Sequence, residues 1–469
     1  MLNNLLLKTD CYKMGHLTMY PDNLAYIYSV LEPRKMSQWC QLYPHKEYLG
    51  NGEVYMFGLR YYLNSLPEKI TANDVQEFYE AYETFIGEVP LEIKEKLTSL
   101  VDLGYLPLEI KAVPEFDTYP YTTPLVTVEN THPDFAWLVG FIEGYLLKLW
   151  YPISVSTLSK AYCDLSEKLC KPTVSEDRWE IYESICVHDF GFRGCSSDES
   201  AAIGGASHLI NKPASDTVLG WDFLKKHYPE KAKFNKPLSV GASEHSIMCA
   251  YGLENEELAF RTLLEKYPTG VISLVSDTYN IYEVCSTIMN NLKDVVLSRD
   301  GVCTLRPDSG DHVEVLLGTE DERGILARLE EVFGSYINDK GYKVLNDKVR
   351  LIWGDGFTLD TYIRVFEGME RAGWSAENLI VGIGALLLNL HQRDDHGFAF
   401  KASYVTDKEG NSKIIQKNPI TDIGKKSKQG KVVVTKDKKW YDLSNPDDYN
   451  NNIENNILAT VYKDGALYE

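Results

Sequence analysis

From about residue 150 the chain repeats one rhythm: a short β-rich run, a polar or glycine-bearing cluster, then a stretch that reads as a helix. The runs are ISVSTL at 153, EIYESICV at 180, PLSVGAS at 237, GVISLVS at 270, VCTLRP at 302, VRLIWG at 349, NLIVGIG at 378 and FAFKASYV at 398. Helices are predicted between them over 246–267, 281–296, 324–340 and 359–372. Strands joined through helices lie parallel, and seven or eight such units suit a closed barrel, with a doubly wound open sheet as the alternative.

The polar residues favour the barrel. Candidate strands end in His188-Asp189, Glu244-His245, Ser276-Asp277, Arg306-Pro307-Asp308, Gly354-Asp355-Gly356 and Gly382-Ile383-Gly384. In a parallel barrel the C-terminal ends of the strands open into one mouth, where catalysis in this architecture sits. One such cluster would mean little, but six in succession mark a site.

The first 150 residues mix strands, predicted at 26–31, 105–113 and 125–128, with helices at 71–86 and 134–149. After about 405 the rhythm stops in a lysine-rich tail, KKSKQGKVVVTKDKKWYDL, expected to fold back on the N-terminal part. The predicted architecture is an irregular parallel α/β, TIM-like barrel over 151–404. A second α+β domain is built from 1–150 and 405–469.

Composition narrows the chemistry. A net charge of -20 opposes nucleic-acid binding, which needs a net basic face, but leaves room for small phosphorylated ligands held by a few local cations. Nine cysteines without a CxxC pair argue against a disulfide framework or structural zinc and fit a reducing cytoplasm. The apolar run Leu5–Leu7 is too short for a signal peptide, and the stretch from Phe135 to Tyr151 is interrupted by Glu143 and Lys148, so it reads as a buried amphipathic helix.

Asp277, Asp308 and Asp355 are expected to converge with Arg193, Arg306 and Arg393. Arginine holds phosphate oxygens bidentately and carboxylates take Mg2+ or ribose hydroxyls, so this set suits a polyanionic substrate carried with a divalent metal. Rim salt bridges are the bland alternative for any single pair. The turn GIGALLL is a weak phosphate signal. His245 faces the polar mouth, and no HxH or HExxH spacing supports a zinc hydrolase. HDFG lacks the HRD and glycine-rich partners that a kinase requires. Phe190 and Tyr12 are the aromatic residues to watch, although each residue of this type is more often core.

Taken in order, TDCYKMGHLTMYP, LEPR at 31–34, HDFGFRGCSSDESAAIGGASHLIN, SDTVLG, ASEHS, SDTYNIY, RPDSG, GDG and Arg393-Asp394 resemble the nicotinamide phosphoribosyltransferase family over nearly the whole chain. The resemblance implies that Phe190 and Tyr12 sandwich a pyridine ring, Tyr12 coming from the second subunit of a homodimer with shared active sites. Asp216 and Arg306 would read the carboxamide. Asp277, Asp308, Gly354 and Asp355 would hold ribose and metal-bound pyrophosphate, with Arg193 close by. Asp308 and Asp355 are the candidate Mg2+ contacts, mainly through the substrate. Arg393, Gly384 and Ser273 would help bind phosphate, together with Arg34 and Lys401. His245 matches a histidine phosphorylated by ATP, the coupling substrate. Gly384-Ala385, HQRDDHGFAFK and Lys417-Asn418-Pro419 depart from the family pattern around the phosphate contacts.

The implied reaction transfers phosphoribosyl from phosphoribosyl pyrophosphate to nicotinamide. It needs no general base on the ring nitrogen, because the attacking atom is neutral and the leaving group is pyrophosphate. Catalysis would rest on positioning and on stabilising a cationic ribose carbon. The closest rival is a nicotinate phosphoribosyltransferase, whose ring carboxylate would meet Asp216 as a like charge. A catalytically silent pyridine-nucleotide sensor is the alternative from another class.

Overall fold

The computed structural model describes residues 4–35, 52–421 and 426–468. The described residues separate into two compact units, one comprising those up to 154 together with those from 391 on, the other comprising 155–390.

The first unit is built on a seven-stranded sheet, in the order Ser412–Ile414, Ala399–Asp407, Leu24–Glu32, Val126–Asn130, Leu108–Ala112, Ala459–Lys463, Ala466–Leu467. Every neighbouring pair in it is antiparallel. Both ends of the chain supply strands, which makes this the α+β domain of N- and C-terminal segments. Leu108–Ala112 alternates buried and half-buried residues, the period-two signature of a sheet with one face on the core. Helix Ala72–Phe85 starts where the sequence places it. Thr71 Oγ1 accepts a hydrogen bond from the Asp74 amide while Asp74 Oδ2 accepts one from the Thr71 amide, and Val75, Phe78 and Tyr82 form its buried stripe.

Two predicted barrel strands lie elsewhere. FAFKASYV belongs to the first unit, where Phe400 pairs with Leu31 and Lys401 with Val30. Phe398 and Phe400 are buried while Lys401 is half-buried, and that alternation is the mark of the one-sided antiparallel sheet. ISVSTL is helical, within Trp150–Leu169. Its Ser154 Oγ donates to the Trp150 carbonyl at 2.7 Å, and the residue that follows the run, Ser159, meets His208 Nδ1 at 2.9 Å through its Oγ. A short apolar run carries no periodicity to tell strand from helix. Of EIYESICV, Trp179–Ile185 is helix and only Val187–Asp189 forms a strand.

The second unit is built on a six-stranded, all-parallel sheet in the order Val187–Asp189, Leu379–Ile383, Val349–Trp353, Cys303–Arg306, Ile272–Val275, Gly241–Ala242, with a separate antiparallel pair, Ser335–Ile337 and Lys343–Leu345. Single parallel bridges carry the sheet on from Asp189 to Ser215 and from Ala214 to Leu238, just before Gly241. The sheet thus curls back toward its other edge as an irregular barrel. Ile272–Val275 is buried throughout, as a strand packed on both faces must be. Outer helices such as Leu359–Arg371 turn Leu359, Tyr362, Ile363, Phe366 and Met369 inward. The helix predicted over 246–267 breaks at Gly252, whose φ of +82° ends His245–Tyr251 before Glu256–Lys266 begins.

Candidate active site

Because the six strands run parallel, the six polar clusters read from the sequence all emerge at one end of the sheet. They divide into a pocket beside the Phe190 ring and a polar rim.

The pocket is organised by Asp189, which is fully buried. Its Oδ1 accepts the Gly191 amide at 2.7 Å and its Oδ2 accepts Ser215 Oγ at 2.9 Å, while its carbonyl accepts the Asp216 amide at 2.9 Å. Phe190, Ser215 and Asp216 are thereby tied to one strand end. The Phe190 amide donates to the Ile383 carbonyl at 2.9 Å, and the ring lies where a β-carbon on Gly382 would otherwise sit. The His188 ring packs 4.8 Å from that of Phe190, and its Nε2 lies 3.1 Å from Asp216 Oδ1. Burial by itself would raise the Asp216 carboxyl. Hydrogen bonds from His188 and Ser239, with the charges of His188 and Arg306, reverse this and hold it below the usual carboxylate range.

Phe190, His188, Asp216, Ser239, Ser273 and Arg306 line one cavity of ≈ 630 Å³. It continues down the sheet to Arg178, Asp347 and Arg350 near the opposite strand ends, so this barrel interior is open where such interiors are ordinarily filled by side chains. Ser273 lies inside strand Ile272–Val275, buried, and its hydroxyl has no hydrogen-bond partner among the described residues. Arg306 Nη2 donates to the Ser243 carbonyl at 2.6 Å, which aims the guanidinium across the pocket.

The rim gathers carboxylates around a histidine. Asp277 Oδ2 accepts the Asp308 amide at 3.0 Å and Ser309 Oγ at 2.6 Å, pinning the RPDSG loop. His245 Nε2 lies 3.7 Å from both Asp277 Oδ1 and Asp308 Oδ2, and its Nδ1 is 3.2 Å from Thr278 Oγ1. Oδ1 of Asp277 and Oδ1 of Asp308 are buried acceptors without hydrogen bonds. Backbone approach explains the neighbouring glycines. A β-carbon on Gly354 would stand 2.6 Å from Asp308 Oδ1, and one on Gly384 2.6 Å from Asp355 Oδ1. Arg193 is exposed on the turn Phe192–Gly194, which packs at Gly194 onto Ala385.

Tyr12, Arg34, Arg393 and Lys401 belong to the first unit. Arg393 pairs with Asp394 at 2.8 Å, and Arg34 Nε with Glu32 at 3.2 Å. Glu143 takes Lys401 at 3.2 Å and Lys13 at 2.7 Å. Tyr12 is 60% exposed, against the His16 ring. The second unit therefore brings together Phe190, Arg193, Asp216, His245, Ser273, Asp277, Arg306, Asp308, Gly354, Asp355 and Gly384, without Arg393. Sequence reasoning missed Ser239 and gave His188 no role of its own. The strand-end position of His188 was its one signal, and Ser239 carried none.

Comparison with known proteins agrees with this geometry. The Nicotinate phosphoribosyltransferase (NAPRTase) family matches residues 185–466, and the Nicotinamide phosphoribosyltransferase, N-terminal domain matches residues 4–110. A relative named nicotinamide phosphoribosyltransferase, from Acinetobacter baylyi, is 33% identical over 98% of this chain and 93% of its own. Another of that name, from Xanthomonas campestris pv. campestris, is 32% identical over 93% of this chain and 88% of its own. The crystal structure of nicotinate-nucleotide pyrophosphorylase from Pyrococcus furiosus has a TM-score of 0.59 at 12% identity, covering 100% of this chain and 92% of that one, a likeness of fold.

A curled parallel barrel with this mouth and these relatives is an enzyme of the phosphoribosyltransferase class. The chain belongs to the nicotinate phosphoribosyltransferase family.

Proposed function

We propose that the chain transfers phosphoribosyl from phosphoribosyl pyrophosphate to nicotinamide, giving nicotinamide mononucleotide and pyrophosphate in NAD salvage. The observation that carries this reading is Asp216, an ionised acceptor in the same cavity as the Phe190 ring. Such an acceptor takes an amide N–H and repels the carboxylate of nicotinate.

The ring nitrogen attacks the anomeric carbon of ribose as the bond to pyrophosphate breaks. Phe190, with Tyr12 of a second copy, holds the ring, and Arg306 and Asp216 orient its amide. Asp277 and Asp308 would stabilise the cationic ribose carbon. Arg193, Ser273, Gly384, Arg34, Arg393 and Lys401 are the phosphate contacts of this reading.

No group of three or more His, Cys, Asp or Glu residues among the described residues forms a metal cage. The orphaned Asp308 Oδ1 is the acceptor that fits a cation arriving on the substrate. Mg2+ would be met by Asp308 and Asp355, and it supplies charge neutralisation of the leaving group. ATP would transfer its terminal phosphoryl group to His245 Nε2, releasing ADP, with Thr278 steadying Nδ1.

The exposed Tyr12 supports a homodimer with shared sites. Among the described residues no helix is long and apolar enough to cross a membrane, in keeping with a cytoplasmic enzyme.

The test is product detection with nicotinamide or nicotinate, phosphoribosyl pyrophosphate and Mg2+, with and without ATP. Nicotinamide mononucleotide is expected in preference, and a preference for nicotinate refutes the reading. His245→Ala is expected to lose ATP stimulation while keeping slow ATP-independent transfer. Undiminished stimulation would remove His245 from this role.

A further inference from the structure

An ionised carboxylate at a pocket wall discriminates between ring substituents only if two conditions hold. It must stay charged, and it must keep one oxygen aimed at the ligand. Asp216 is half-exposed at the cavity wall, on a short segment that joins the sheet through single bridges at Ala214 and Ser215. Nothing in that segment fixes the carboxylate plane.

Two side chains do so. His188 Nε2 lies 3.1 Å from Asp216 Oδ1, and Ser239 Oγ donates to the same oxygen. Oδ2 carries no hydrogen bond among the described residues. Two donors on one oxygen leave the other free and restrict rotation of the carboxylate.

The donors are themselves unequally held. His188 is 6% exposed, lies opposite Gly382 in the parallel sheet and packs on the Phe190 ring. Ser239 follows the bridged residue Leu238 and is exposed. His188 donates to Asp216 through its Nε2–H. The histidine is thus the fixed jaw and the serine the adjustable one.

The geometry points to His188 and Ser239 as a positioning clamp on Asp216 that sets the preference for a ring carboxamide over a ring carboxylate. This rests on the reading of Asp216 as the group that faces the ring substituent. Without the clamp the Asp216 carboxylate is free to turn, and its second oxygen no longer stays aimed at the ring substituent. A rotated Asp216 loses the amide.

The readout is the ratio of kcat/KM for nicotinamide to kcat/KM for nicotinate, measured in five proteins: wild type, Asp216→Asn, His188→Leu, His188→Gln and Ser239→Ala. Asp216→Asn tests the underlying reading and is expected to collapse the ratio. His188→Leu is expected to lower it by about tenfold or more, the scale of one hydrogen bond to a charged group. Ser239→Ala should lower it in the same direction. His188→Gln, whose amide nitrogen still donates, should keep most of the ratio. In the Asp216→Asn background, His188→Leu should change the ratio no further.

His188 also supports the Phe190 ring, so His188→Leu will weaken both bases through a misplaced ring. That shared loss cancels in the ratio, which is why the ratio rather than KM is decisive. If His188→Leu folds poorly, Ser239→Ala and His188→Gln still decide. A changed ratio in Asp216→Asn with unchanged ratios in Ser239→Ala and His188→Leu overturns the clamp and leaves the reading of Asp216 standing. An unchanged ratio in Asp216→Asn overturns that reading, and the clamp with it.

Discussion

Adding one methyl group at Gly354 should damage catalysis far more than folding. The built β-carbon stands 2.6 Å from Asp308 Oδ1, 3.1 Å from its Cγ and 3.4 Å from Arg306 Cδ. A weak carbon–oxygen contact settles at about 3.3–3.6 Å, so the carboxylate must move by somewhat under ~1 Å. The Asp308 backbone does not follow, because its amide is bonded to Asp277 at 3.0 Å and the Gly354 amide to the Pro307 carbonyl at 3.0 Å. The displacement therefore falls on the Asp308 side chain, which is 30% exposed and has room to turn. Turning off its rotamer costs about 0.5–1.5 kcal/mol. Gly354 is not among the positive-φ glycines, so alanine adds no backbone strain. Misplacing a reacting group by ~1 Å costs on the order of 100-fold in rate. Gly354→Ala is thus expected to lose ten- to a hundredfold in kcat, on the order of the positioning penalty. Its denaturation midpoint should shift little, and its preference between the two bases should hold. Steady-state kinetics and a denaturant titration on the same preparation check this. A folded Gly354→Ala enzyme with wild-type kcat would show that Asp308 is not held in register for the chemistry.

Three further outcomes follow. If the sites are shared, mixing inactive Tyr12→Ala with inactive Asp308→Ala under exchange conditions should restore activity, because one site of the heterodimer carries neither lesion; heterodimers without activity would make each subunit self-sufficient. Burial lowers the His208 imidazole to about 4. An unfolded chain binds that proton first as the pH falls below about 6.5, so stability present at neutral pH should drain away between about 6.5 and 4, by up to about 3 kcal/mol, and His208→Gln should flatten that slope in denaturant midpoints. A slope unchanged in the variant would place the acid sensitivity elsewhere. Thr71→Ala should cost about 1 kcal/mol by removing the cap of helix Ala72–Phe85 without altering kcat, and an unchanged denaturation midpoint would show the capping box to be dispensable.

Much of the site was legible in the chain because a parallel barrel translates order along the sequence into position around a mouth. Each of the six strands ends within or just before its polar cluster, so Asp277, Arg306, Asp308 and Asp355 could be placed at one rim before any contact was known. The capping box at Thr71 was equally local, since its partners lie three residues apart. The family motifs named Asp216, and local pattern alone would have left it an ordinary residue.

Other features were decided by partners far along the chain. FAFKASYV has the composition of a barrel strand, yet it pairs with Leu24–Glu32, some 370 residues away, because that register buries Phe398 and Phe400 against the first unit's core. ISVSTL became helix because every residue from 152 to 159 is buried, with Ser154 bonded to the backbone and the adjacent Ser159 to His208. The donors on Asp216 come from 28 and 23 residues away, and no periodicity links them. Local pattern determined the type of chemistry and the end of the barrel that carries it. Which oxygen of Asp216 faces the cavity, and whether the barrel interior stays open behind it, depends on how side chains from separate strands meet, and that is set by packing rather than by sequence spacing.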